Sequence, residues 1–270
     1  MNKEIKISLV VSIGFLSFLW LEKPLREFLV LGIFNDFNAE QISSIIIRTT
    51  LVFAAAILIK KLNLIAFTGL NSWKKFKNIQ AIFIPLTFVL MGLVGNWNTY
   101  ANTPSEMLIL FFLSNLAVGI LEELVFRGTI FPLMMKAFLD KRRPILISAV
   151  LSSLMFGVVH YVNLFSQPEN LIGITSQVFF ALAIGVFFCG LMTRTENILI
   201  PILLHALVNL SFGAGKLKNT IEQTSKDKIT EIDWNSLIPT TLFFLFIFLG
   251  GVYMISKSDK ENILRKVKIE

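Results

Sequence analysis

Apolar residues in this chain come in long blocks, not in the narrow stripes of a soluble amphipathic helix. Eight blocks stand out: Ile7 to Leu21, Ile42 to Ile59, Ala81 to Trp97, Glu106 through Phe138, Ile145 to about His160, Leu171 to Met192, Ile198 to about Phe212, and Leu237 to Ile255. Blocks of this kind predict membrane-spanning helices. A cleaved signal peptide is the rival reading of the first block. The following Trp20-Leu21-Glu22-Lys23-Pro24 has no small-residue cleavage pattern, so a retained, rather short first span is expected. Residues 22–40 mix charges with Phe28, Leu29, Val30, Leu31, Ile33 and Phe34, which predicts a surface-lying or half-inserted helix. Gly128 and Pro132 are the expected points of a kink in the fourth span. Pro144 suits the first turn of the fifth.

Composition agrees. Charged residues make up 16% of the 270 and mean hydropathy is +0.71, against about 25% charged in soluble domains. The expected fold is all-α, a polytopic membrane helical bundle of about eight transmembrane helices. Three regions are expected: residues 1–104 with the first three spans and a basic loop, a core over 105–212, and 213–270 with a polar loop, the last span and a basic tail. Eight spans place both termini on one side. Assigning that side to the cytoplasm puts most of the 25 Lys and Arg inside, including Lys74, Lys75 and Lys77 around Trp73 and the cluster Lys141-Arg142-Arg143, as the positive-inside rule requires. The net charge of +7 is then explained by anionic lipid, with no nucleic-acid partner. The four Trp residues, at 20, 73, 97 and 234, fall at span edges as interfacial anchors do. Cys189, the single cysteine, reads as packing. Arg48 lies inside the second span, to snorkel or to meet an acid elsewhere.

The block that begins near Met107 carries charges in the middle: Gly119-Ile120-Leu121-Glu122-Glu123-Leu124-Val125-Phe126-Arg127-Gly128. A charge at the centre of a membrane helix costs ~2.5–3.5 kcal/mol on insertion scales. Glu123 and Arg127 are four apart and can pair; Glu122 points about 100° away. Two readings stand side by side. One is a structural ion pair with a spare acid facing a polar gap. The other is a carboxylate held as a proton acceptor, with its neighbour locked by arginine. Both histidines of the chain also lie in or beside apolar blocks. His160 follows Phe156 by one turn, and His205 precedes Asn209 by one turn. A lone histidine in an apolar helix is ordinarily a satisfied structural residue, but together these groups suffice for water-driven amide cleavage. Glu122, with His160, would take a proton from water, and His205 and Asn209 would donate to the developing oxyanion. Glu122, His160 and His205 could instead hold a divalent metal such as zinc, although no HExxH helix supports it.

Glu122-Glu123-x-x-x-Arg127, Phe156-x-x-x-His160 and His205-x-x-x-Asn209, in this order on successive apolar helices, resemble the three signature motifs of the CPBP family. That family comprises the type II CAAX prenyl endopeptidases and the bacteriocin-processing or bacteriocin-immunity Abi membrane proteins. The resemblance covers about residues 105–212. It implies an intramembrane endopeptidase acting on a membrane-associated peptide or protein, with its site opening to the cytoplasmic side. It further implies a base at Glu122 assisted by His160, an oxyanion hole at His205 and Asn209, and a metal as an open question. Lys outnumbers Arg and Ile, Phe and Asn are common, the composition of an AT-rich bacterial genome. This favours a bacterial cell membrane and an embedded peptide over a prenylated substrate. Two other functions are weighed: an immunity or regulatory scaffold without turnover, and a transporter whose buried charges carry ions. The transporter reading lacks internal repeats.

Overall fold

The computed structural model describes residues 2–30, 36–70, 77–217 and 234–268. The basic loop at Lys74 and Lys75 with Trp73, and most of the polar loop after Phe212, lie outside the described residues. Those residues contain helices and turns and no strand. Six stretches are long and apolar enough to cross a bilayer, while Ile79–Gly95 and Leu199–Phe212 are apolar but shorter.

The chain runs α1 (Lys3–Val30), α2 (Asp36–Lys61), the short α3 (Ile65–Thr68), a 3-10 turn (Ile79–Ile82) leading into α4 (Phe83–Gly95), and α5 (Trp97–Ala101). Next come α6 (Ser105–Val125), a π turn (Phe126–Ile130), α7 (Phe131–Ala137), α8 (Pro144–Val158) with a 3-10 extension (Val159–Phe165), α9 (Leu171–Thr195) and α10 (Leu199–Phe212). Two further helices follow, α11 (Trp234–Ser256) and α12 (Lys260–Lys268). α9 packs against α8 and α11, α6 against α2 and α10, and α4 against α10. Phe28, Phe53, Met91 and Val94 are exposed. In water such a belt would aggregate; it is the surface that lipid covers. Trp20 and Trp97 are also exposed, as interfacial anchors are.

One expectation is corrected. Residues 22–30 form no separate surface helix; they continue α1 straight through Pro24. The reason lies in Glu22, whose buried carboxylate meets Arg48 Nη2 of α2 at 2.9 Å. The pair compensates two charges that neither helix could bury alone, and it fixes α1 beside α2 just before the proline. Arg48 thereby finds its acid and does not snorkel.

The core gathers around the break between α6 and α7. Phe126, Ile130, Phe131 and Met135 are fully buried. Phe126 sets its edge against Phe15 of α1 at 5.4 Å and Phe156 of α8 at 4.9 Å between ring centroids. Here the helix widens: the Phe131 amide donates to the Phe126 carbonyl, five residues back. The Thr129 hydroxyl donates to the Leu124 carbonyl at 3.0 Å. Widening also accommodates Pro132, which cannot donate an amide and sits in the first turn of α7. Wide turns of this kind concentrate at functional sites, and this one contains Arg127.

Candidate active site

Neighbouring residues on α6 point about 100° apart, so the two acids reach different surroundings. Glu123 is fully buried, and its Oε1 accepts from Arg127 Nη1 at 3.0 Å and from His205 Nδ1 at 2.8 Å. Glu122 keeps 17% of its side chain exposed, with Oε2 3.4 Å from His205 Nε2. A single imidazole on α10 therefore spans both carboxylates of α6. The expected pairing of Glu123 with Arg127 is present; the second partner of Glu123 had no signal in the sequence, because helix-to-helix register decides it.

Two close approaches make this geometry. A Cβ added at Gly119 would lie 3.0 Å from the Ala206 amide nitrogen and 3.0 Å from the Ile202 carbonyl oxygen. The bare backbone of α6 thus presses on α10 one turn before the acids, which brings His205 within reach. On the other side, a Cβ at Gly185 of α9 would lie 2.7 Å from Ser153 Cβ and 3.1 Å from Arg127 Nη2. The lack of a side chain at 185 thus makes room for both Ser153 and the guanidinium.

Aromatic rings close the cluster. Arg127 Cζ lies 4.6 Å from the Phe156 centroid and 5.6 Å from that of Phe188. His205 stands between the same two rings, at 6.0 and 5.5 Å. Ring faces attract a desolvated cation by about 2 kcal/mol, which offsets part of the cost of burying Arg127 in a membrane protein. Arg127 Nη2 and Glu123 Oε2 have no hydrogen-bond partner among the described residues, so the rings supply what further donors and acceptors do not. Phe188 went unnoticed in the sequence, where it is one of 26 phenylalanines.

His160 lies where α8 tightens into its 3-10 extension. Its Nδ1–H donates to the Phe156 carbonyl at 3.0 Å, which leaves Nε2 of the neutral ring as an acceptor. The Phe156 ring is 5.2 Å from that of His160 and 6.0 Å from that of His205, so it stands beside both imidazoles. No hydrogen bond joins His160 to Glu122 among the described residues. Asn209 is half-buried one turn beyond His205. The end of its helix is clamped by the α4–α5 corner: Tyr100 OH donates to the Leu210 carbonyl and Asn96 Nδ2 to the Ser211 carbonyl at 3.0 Å. Cys189 is free and buried, with Sγ 3.8 Å from Ser152 Oγ, in keeping with packing.

Among the described residues no three His, Cys, Asp or Glu side chains gather as a metal-holding group. Glu122, His160 and His205 do not form one: both nitrogens of His205 face carboxylates and Nδ1 of His160 faces a carbonyl. No step is derived through a metal.

No curated protein and no solved structure matches the chain. Residues 104–211 match the family model described as Type II CAAX prenyl endopeptidase Rce1-like. The matched stretch opens at the start of α6, ends within α10 and contains Glu122, Glu123, Arg127, His160, His205 and Asn209. The protein is thus an integral membrane helical bundle, and its core, residues 104–211, is similar to the Rce1-like type II CAAX prenyl endopeptidases.

Proposed function

We propose that this protein is an intramembrane endopeptidase that uses Glu122 to activate water against a peptide bond of a membrane-associated peptide or protein. The observation that carries the reading is the unequal placement of two adjacent acids. Glu122 retains 17% exposure beside an imidazole, whereas Glu123 has none and is bound by Arg127. Only the first can meet water; the second orients His205 through Nδ1, as a carboxylate behind a histidine does.

In this reading the Glu122 carboxylate takes one proton from water and the hydroxide oxygen bonds to the carbonyl carbon. The Nε2 lone pair of His160 is a second acceptor for that water. With both ring nitrogens protonated, His205 donates Nδ1–H to Glu123 and turns Nε2–H from Glu122 to the carbonyl oxygen. The Asn209 amide is the second donor. When the tetrahedral centre collapses, the C–N electron pair leaves with the nitrogen, which collects the proton held by Glu122. Losing one oxyanion donor of this type costs ~100–1,000-fold in rate.

The test is cleavage by purified, folded protein together with membrane proteomics of cells carrying wild type or Glu122→Ala. Glu122→Ala and His160→Ala are each expected to abolish cleavage, and the precursor that accumulates uncut in Glu122→Ala cells is the substrate. Unimpaired cleavage by both variants would end the reading.

A further inference from the structure

A cavity lies on the far side of Phe188. It occupies about 350 Å³ between α4, α9, α10 and α11, the size range of small-molecule sites. Its wall is apolar, with Ile84 and Phe88 from α4, Phe187 and Phe188 from α9, and Phe243 from α11. The Phe88 ring reaches Phe243 at 5.3 Å and Phe246 at 6.5 Å, so aromatic edges join α4 to α11 along this seam.

One end is different. Asn78, Gln80, Arg194 and Lys257 line it, and among the described residues no Asp or Glu lines any part of the cavity. This end is cross-tied. Asn78 Nδ2 donates to the Arg194 carbonyl at 2.9 Å, and Arg194 Nη1 donates to the Lys257 carbonyl. The nearby carboxylate of Glu196 does not neutralise it, because Lys77, Lys266 and Asn262 already hold that group. Two cations at the end of an apolar groove, where α9 and α11 leave the membrane, match an anionic headgroup with a hydrocarbon chain.

We propose that this groove holds one anionic glycerophospholipid, its phosphate at Arg194 and Lys257 and an acyl chain along the phenylalanine wall up to Phe188. The chain end then buttresses the ring whose other side packs His205 and Arg127. The site stands whether or not the protease reading does.

The full-length protein is reconstituted into nanodiscs containing equal amounts of phosphatidylglycerol and phosphatidylcholine with identical acyl chains, and retained lipid is read by native mass spectrometry. Wild type is expected to keep one phosphatidylglycerol in preference to phosphatidylcholine by roughly tenfold or more. The double variant Arg194→Gln/Lys257→Gln is expected to bring the two lipids to parity, and Arg194→Lys to keep the preference. Ile84→Trp, which fills the groove from a lipid-exposed position, is expected to lower retention of both. Parity in wild type, a preference unchanged in the double variant, or retention unchanged in Ile84→Trp overturns the proposal. So does full displacement by inorganic phosphate, which would leave the acyl chain no part. Arg194→Lys and Ile84→Trp keep the test decisive should the double variant misfold.

Discussion

Glu123 and Arg127 illustrate how a membrane protein keeps charge inside. Neither side chain is solvated: Glu123 is held by Arg127 and His205, and Arg127 by Glu123 and two rings. Removing one member of such a pair leaves the other stranded, a loss of about 3–5 kcal/mol. Arg127→Ala is therefore expected to lower the melting temperature of the detergent-solubilised protein sharply. Arg127→Lys should recover only part of it, since an ammonium lacks the planar face that stacks between Phe156 and Phe188. Glu122→Gln, at the half-open position, should melt like wild type while losing cleavage. Melting curves beside activity separate the two adjacent acids: one holds the fold, and the other does the proposed chemistry.

At the scale of helices, the site depends on the distance between α6 and α10. Gly119→Val places branched carbons against the Ala206 and Ile202 backbone, and neither backbone can yield without moving its helix. The expected outcome is a folded protein with α10 displaced, His205 withdrawn from both acids and cleavage reduced by roughly 100-fold or more. Circular dichroism and the cleavage assay check it together. The same scale explains what could be read in the chain. Glu123 with Arg127 and Phe156 with His160 are four apart on single helices, so spacing alone predicts that they meet. The blocks of apolar residues likewise disclose the helices, because a bilayer demands length and apolarity of each one separately. The bridge from His205 to both acids, the seat of Arg127 against Gly185, and the pairing of Glu22 with Arg48 each join residues far apart in the chain. They depend on how one helix slides and rolls against another, which no local pattern records. The π turn was also out of reach: Gly128 and Pro132 marked the place of the irregularity but not its form.

Across the whole molecule, one end of the bundle is tied together at Glu196. This residue ends α9 in the left-handed region, with φ of 55°. Its carboxylate accepts from Lys77 at 2.6 Å, and from Asn262 and Lys266 of α12 at 2.7 and 2.8 Å. α12 buries Ile263 and Val267 and lies against α3 and α7. Burial raises the Glu196 carboxyl, but hydrogen bonds from Lys266 and Lys77, the charge of Lys266 and the Asn262 amide outweigh it, leaving the group below its ordinary value. A carboxyl depressed in the folded state binds fewer protons folded than unfolded. Its stabilisation is thus complete above the unfolded carboxylate pKa and is lost as pH falls through the folded value. Melting temperature should fall on acidification through that range, and Glu196→Gln should flatten the fall while lowering stability at neutral pH. A series of melting curves from neutral to acid pH reads both effects.

The wide turn at 126–130 has a hereditary consequence. It houses one residue more than regular winding needs, so losing a single codon there would restore regular winding and leave α7 facing the same way, at the cost of the place Arg127 now holds. A codon lost from the regular winding on either side would instead swing everything downstream round by about 100°, carrying Met135 and Phe131 out of the interior they now fill. The turn can absorb a change of length that the helices beside it cannot, but not the loss of Arg127, which it carries.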